Sequence, residues 1–372
     1  MQSELSAAHY TDPAIFAREE RALFRRLWLF AGLRSALAEP NAFITRTLGG
    51  LPVLVQNCDG EIRAFANQCP HRLMPLQTEP FGQGRMVCGY HGWSFDHDGA
   101  VKAIPSEARL YQYDAAERKA LCLPRYAVRE IGNLVFVNLA ADPLPIEQQF
   151  SAELMQQVRE MSEHFGTQAV HVDLEGRYNW KLNYENVLDY NHVPYVHPKT
   201  FQPLLGKRAP EAADTPPPPA EHPALPATLA AQSFYARMPL TIQRFPWHDM
   251  VRRYGEGDYY YNLFLFPNVN FISVGGVVFL VQQFDPLAAD RTQVRFTLTA
   301  AQENRRLPAL PAILRGHLRS EVDVLYEDLG YLEALQSNLH ADSPRVRHGQ
   351  YEQRLISFAR VYADLLEGGT PW

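Results

Sequence analysis

Two short hooks carry the most evident chemistry in this sequence. Cys69-Pro70-His71 is followed, after sixteen intervening residues, by Cys88-Gly89-Tyr90-His91. Two thiols and two imidazoles on neighbouring loops make a four-ligand clamp of soft and borderline donors, which suits zinc or an iron–sulfur cluster. Further along, His192 and His197 stand five apart across Pro194, and Asp189 precedes His192 by three. Two neutral imidazoles and a carboxylate from elsewhere would form the facial triad of a non-haem ferrous site, with positions left open for water and O2.

The ligand order separates the two readings of the first set. Structural zinc loops usually pair Cys with Cys in one knuckle, or Cys with Cys and His with His across two. Here each knuckle is mixed. In a Rieske [2Fe-2S] centre two Cys hold one iron and two His hold the other, so each loop gives one ligand to each iron. Gly82, Gly84, Gly89 and Gly92 would let the backbone turn closely round inorganic sulfurs, and Pro70 stiffens the first knuckle.

The segments Cys69-Pro-His-Arg-Leu and Cys88-Gly-Tyr-His-Gly-Trp-Ser-Phe resemble the Rieske motif of the Rieske non-haem iron oxygenases, the aromatic-ring-hydroxylating oxygenases. Glu185-Asn-Val-Leu-Asp-Tyr-Asn-His-Val-Pro-Tyr-Val-His197 resembles that family's iron motif. Spacing would place Asp189 and His192 on one face of a helix, with Pro194 breaking it so that His197 swings to the same point. Two departures stand out. Asn191 occupies a position where many members have Tyr, and the tract from Asn186 to Asp189 is one residue shorter than in the ring dioxygenases, closer to O-demethylases and quaternary-amine oxygenases.

The third iron ligand is sought as an acid where an acid should not be. From Gly316 onward, Leu318, Val322, Leu325, Leu329 and Leu332 form an apolar helical stripe, and Asp328 falls on it. A buried carboxylate is costly unless paired or metal-bound. Glu327 points elsewhere on the wheel and is the weaker candidate. Tyr326 to Gln336 also resembles the family's late helix, with Asp328 at the ligand position.

The elements that must position these groups follow from composition and periodicity. The chain has 372 residues, a net charge of -6, and no local run of Lys and Arg that would mark a nucleic-acid surface. No basic and apolar leader opens it and no apolar run could span a bilayer, so a cytoplasmic protein is expected. Cys58 and Cys122 are expected to stay reduced.

A capped start at Thr11-Asp12-Pro13 predicts an amphipathic helix with Phe16, Leu23, Phe24 and Leu27 inward and Glu19, Glu20, Arg25 and Arg26 between them. Short alternating segments from about Asn41 to Ala140, with turns at Gly49-Gly50, Asp59-Gly60 and Asp98-Gly99, predict a small antiparallel β domain with the Cys/His loops at its tip. The expected division is 1–40 as a helical segment on the catalytic domain, 41–143 as the Rieske domain, and 144–372 as the catalytic domain. The proline-rich stretch 214–226 reads as a surface linker or a lid. Strands at 259–266, 269–274, 277–284 and 293–299, with helices at about 311–339 and 350–366, give an α+β class.

What the resemblance implies is more specific. The catalytic domain would be helix-grip-like, with helices over a central antiparallel sheet. The cofactors would be one Rieske cluster on Cys69, His71, Cys88 and His91, and one mononuclear Fe(II) on His192, His197 and Asp328. The chain would be a terminal oxygenase α subunit. It would take O2 and NAD(P)H-derived electrons through a flavin or iron–sulfur reductase or a ferredoxin, and hydroxylate a small, aromatic organic substrate. Oxidative O- or N-demethylation and quaternary-amine monooxygenation are the alternatives within the family. The partners would be two further copies in a homotrimer, and a β subunit in some assemblies. Asp189 would be the catalytic bridge from His192 to His91 of the adjacent subunit. Tyr190, Phe201, Phe245, Trp247, Tyr260 and Phe264 could line an apolar pocket, but each is expected first as a core residue of the sheet. A reading from another class is an electron carrier whose C-terminal half only docks; it has no use for His192, His197 and Asp328.

Overall fold

The computed structural model describes residues 2–201, 203 and 225–369. They divide into two compact units, one of Phe24–Leu144 and one of Met1–Leu23 with Pro145–Trp372. All but the last two residues of the 214–226 stretch lie outside the described residues.

In the first unit the strands are β1 (Leu29–Leu33), β2 (Ala42–Leu48), β3 (Leu51–Cys58), β4 (Glu61–Ala66), β5 (Phe81–Gln83), β6 (Ser94–Phe95), β7 (Val101–Ala103), β8 (Arg125–Ile131) and β9 (Leu134–Asn138). Seven make one sheet in the order β1-β9-β8-β4-β3-β2-β5, while β6 and β7 form a separate ribbon. The pairs Gly49-Gly50 and Asp59-Gly60 close the β2–β3 and β3–β4 hairpins, all four at positive φ, as two-residue hairpin turns require. The segment expected as one helical piece to residue 40 is divided instead. Its main helix, Pro13–Glu19, is capped by Asp12 accepting from the Ala14 N–H at 2.7 Å and runs on as a π turn over Glu20–Phe24. Leu29–Leu33 is a fully buried strand paired with β9. The run Leu-Phe-Ala-Gly-Leu carries no polar alternation, so period alone could not mark it as a strand.

The second unit holds β10 (Phe165–Gly176), β11 (Phe234–Pro239), β12 (Tyr259–Leu265), β13 (Val269–Val274), β14 (Val278–Ala288) and β15 (Arg291–Ala301). They form an antiparallel sheet ordered β10-β15-β14-β13-β12-β11. Along β15, Thr292, Val294, Phe296 and Leu298 are buried while Arg291, Gln293, Arg295 and Thr297 are not. This alternation gives the sheet one inward face. The long helix Leu310–Ser337 packs against β10 and β15, and the helix Gln353–Leu366 buries Leu355, Phe358, Val361, Tyr362 and Leu365.

One expectation about the N-terminal helix is corrected here. Glu19 lies not on a polar face but at 0% exposure. It accepts from Lys181 Nζ at 2.5 Å, from Trp180 Nε1 at 2.8 Å and from Tyr362 Oη at 2.5 Å. Lys181 is equally buried, and the rings of Tyr10, Trp180 and Tyr362 lie within 5.3 Å of its ammonium. A charge so placed must be paired, and the pair braces the start of the helix Trp180–Leu188 that leads to the second histidine site.

Candidate functional site

The two Cys/His loops of the first unit are built alike. Cys69 accepts from Leu73 N–H at 2.8 Å and donates its own N–H to Met74 O at 2.8 Å; Cys88 does the same with Gly92 and Trp93, at 2.9 and 2.8 Å. Leu73 and Gly92, at matching places, both have positive φ, 60° and 72°. Of the glycines read as giving close turns, only Gly92 has that backbone. Gly82 is needed for space, since a Cβ there would stand 2.9 Å from the Phe43 ring.

Cys69 and Cys88 are buried in the apolar core with Phe65, Trp93 and Leu123, and the rings of His71 and His91 lie 4.6 Å apart. Trp93 stacks on His71 at 4.8 Å and 5°. Burial pushes the Cys69 thiol up to about 11, and burial with His91 beside it lowers His71. Among the described residues His91 Nδ1 is buried without a hydrogen-bond partner. A thiol held uncharged at Cys69 and a bare ring nitrogen at His91 are what a metal would convert into thiolate and imidazole ligands.

The second site starts where the helix Trp180–Leu188 ends. Asn179 caps its start, accepting from Lys181 N–H at 3.0 Å. The helix stops at Leu188, so Asp189 is extended, at φ -100° and ψ 113°. Asp189 and His192 therefore do not share a helical face as their spacing suggested. Pro194 is no breaker either; it sits in the first turn of a separate short helix, Val193–Val196, with His192 and His197 at its two ends. That one turn brings the rings to 5.3 Å.

Asp328 reaches them from the long helix. Its Oδ1 is 3.0 Å from His197 Nε2 and 3.7 Å from His192 Nε2, yet among the described residues this buried oxygen has no partner in hydrogen-bonding geometry. Donor atoms that converge without bonding one another suit a shared ion. On the other sides of the rings, His197 Nδ1 lies 2.8 Å from Glu327 Oε2, which also accepts from Thr200 Oγ1 at 2.5 Å. His192 Nδ1 lies 3.9 Å from Asp189 Oδ2. Burial lowers His192 despite Asp328 and Asp189; at His197 burial acts the same way, but Asp328 and Glu327 outweigh it and the ring is held above its usual value. Glu327, the weaker candidate beside Asp328, thus orients the ring of His197. Helical period could not show this, because the contact depends on where residue 197 sits.

Residues 27–114 match the Rieske [2Fe-2S] domain, and residues 165–368 match the catalytic domain of the ring-hydroxylating α subunits. The chain belongs to that family. It is 30% identical over 249 residues to the oxygenase subunit of glycine betaine monooxygenase from Chromohalobacter salexigens, covering 66% of this chain and 52% of that one. The chain spans about half the length of the curated relatives it matches. Two solved structures share the fold. A quaternary ammonium Rieske monooxygenase with L-carnitine has TM-score 0.70 and 19% identity, over 98% of this chain and 95% of that one. A naphthalene 1,2-dioxygenase variant bound to phenanthrene has TM-score 0.73 and 21% identity, over 100% and 93%.

In this ring-hydroxylating family member the three donors open into a cavity of about 410 Å3, a size that takes a small organic ligand. Tyr190, Phe201 and Tyr260 line it, where the core is the first expectation for each. The other three aromatics do not. Phe264 is buried at 1% exposure against Tyr184; Phe245 packs on His248, and Trp247 lies between His248 and His317. Among the described residues no helix is long and apolar enough to cross a membrane.

Proposed function

We propose that the chain is the terminal oxygenase component of a Rieske non-haem iron oxygenase system. It takes O2 and electrons derived from NAD(P)H through a reductase or ferredoxin, and oxygenates a small organic substrate. The observation that carries this reading is the convergence of His192, His197 and Asp328 on one wall of a ligand-sized cavity. An electron carrier has no need of it.

In this reading Cys69 and Cys88 hold one iron of the cluster and His71 and His91 the other. His192, His197 and Asp328 hold a single Fe(II). Bound iron would supply O2 activation at the triad and electron storage at the cluster, whose histidine ligation sets a potential of roughly -150 to +300 mV. The residues around the triad do the rest. Glu327 accepts the Nδ1 proton of His197, which leaves Nε2 bare toward the cavity. Asp189 can do the same for His192, and its remaining acceptor capacity suits a second imidazole, His91 of an adjacent copy. That bridge requires a neighbouring copy, and the family resemblance makes the assembly a homotrimer, with or without a β subunit. Val187, Val193 and Ile272 give the cavity apolar surface that excludes water from the reacting carbon.

A second reading is favoured by the polar part of the wall. Asn262, Asn270, Gln282, Ser320 and Glu321 would leave a plain hydrocarbon against unpaired polar groups. They support monooxygenation or demethylation of a polar compound over dioxygenation of an arene, in line with the glycine betaine and carnitine relatives. The test is iron content followed by turnover. Three irons per chain and substrate-dependent NAD(P)H and O2 consumption with a surrogate reductase are expected; two irons per chain would leave only the carrier.

A further inference from the structure

On the long helix, Glu321, Leu325 and Asp328 follow one another at spacings of four and three and all line the same cavity. Seven residues bring a helix round to within about 20° of the same direction and advance it by about 10 Å. The cavity therefore has two carboxylates on one wall, two turns apart. Asp328 belongs to the triad; Glu321 has no such occupation. Among the described residues it makes no hydrogen bond and no ion pair. Lys199, which lines the same cavity, acts on Glu327 and not on Glu321.

Glu321 is half-buried by accessible area because the cavity itself admits water, while protein encloses it closely enough that desolvation pushes its carboxyl up to about 7. A carboxylate kept in such a place without a partner costs stability. Asn262 and Asn270, at 4% and 3% exposure, also line the cavity. Asn262 Nδ2 donates to Tyr190 Oη at 3.1 Å and Asn270 Nδ2 donates to Gln282 Oε1 at 2.9 Å. Among the described residues both amide oxygens are left with no partner, sealed from the cavity. Phe201 meets Tyr260 edge to face at 5.0 Å and gives the same cavity aromatic wall.

We propose that Glu321 is the recognition site for the protonated amine of the substrate. An ammonium brings N–H donors and a positive charge to a cavity carboxylate that has neither. Its distance from the triad sets the kind of substrate: the carbon that is oxidised is not the one bonded to the nitrogen but lies several bonds away, as across an aromatic ring or a short chain. This assignment rests on the oxygenase reading and names its substrate class.

The experiment measures binding to the iron-loaded protein by calorimetry, with benzylamine, phenethylamine and phenylpropylamine against the three alcohols of the same skeletons. At least one amine binds tenfold or more tighter than its alcohol, and Glu321→Gln removes that preference while iron content and the Rieske spectrum stay unchanged. Glu153→Gln, an acid-to-amide change at an exposed position outside the cavity lining, keeps the preference. Equal binding of amines and alcohols, no binding by any of the six, or a preference that survives Glu321→Gln overturns the assignment. Any of these with three irons per chain leaves the oxygenase reading standing; two irons per chain overturns that reading, and this one with it.

Discussion

Glu327 Oε2 lies 2.8 Å from Nδ1 of His197, whose Nε2 lies 3.0 Å from Oδ1 of the next residue, Asp328. Two consecutive side chains of one helix thus hold the two nitrogens of a single imidazole, one carboxylate orienting the ring and the other sharing its target. Carboxylates that orient a ligand histidine typically contribute tenfold to a hundredfold in metal affinity. Glu327→Ala should therefore lower iron retention at the triad by about 10- to 100-fold, measured as loss to a chelator, with the Rieske spectrum unchanged. Glu327→Gln, which can still accept from Nδ1, should lose less.

Removing a donor of the triad itself should be more drastic. Asp328→Ala and His192→Ala each leave two donors of three, too few to hold a ferrous ion firmly. Iron content should fall from three per chain to two, with the spectrum of the remaining cluster intact and turnover lost. Variants that keep all three irons would show the ion is held elsewhere.

Sequence placed the candidate ligands better than the scaffold that aims them. Cys69, His71, Cys88 and His91 are legible because spacing within a knuckle is local, and Asp328 because an acid on an apolar stripe is anomalous wherever the helix packs. Glu327 and Glu19 are not legible, since each owes its role to a residue more than a hundred positions away, His197 and Lys181. The chain between His192 and His197 was read as a helix broken by Pro194, whereas Pro is well suited to a first helical turn. The break had already come at Asp189. Among the aromatics, Tyr260 and Phe264 are four apart on β12 and so share a face of the strand, yet Tyr260 lines the cavity while Phe264 is buried against Tyr184. Which end of that face meets the cavity is decided by the packing of the helices.

The Lys181–Glu19 pair makes a stability prediction. Both groups are at 0% exposure, so removing one leaves the other charged and unmatched, at a cost of about 3 to 5 kcal/mol. Glu19→Gln should lower the thermal midpoint of its unit by roughly 6 to 20 °C. Adding Lys181→Met to it should recover part of the loss, because the orphan charge then goes too. Calorimetric scans of the single and double variants measure the coupling; additive losses would show that the pair contributes only packing.

Asp189 gives the most discriminating prediction. Its Oδ1 accepts from the Asn191 N–H at 2.8 Å and its Oδ2 stands 3.9 Å from His192 Nδ1. It thus both shapes the turn after the helix and faces the outer nitrogen of a ligand ring. Asp189→Asn keeps an acceptor for the turn but loses the charge that would stabilise two imidazoles at once. Iron content should remain three per chain while substrate-dependent O2 consumption falls at least as far as other orienting carboxylates allow, about 100-fold. Normal activity would rule the bridge out.

Mixing adds a test of its route. Copies carrying Asp189→Asn retain the cluster, and copies carrying His71→Ala retain Asp189; if the bridge joins neighbours, co-assembly of the two inactive forms restores turnover. If each copy works alone, the mixture stays as inactive as its parts.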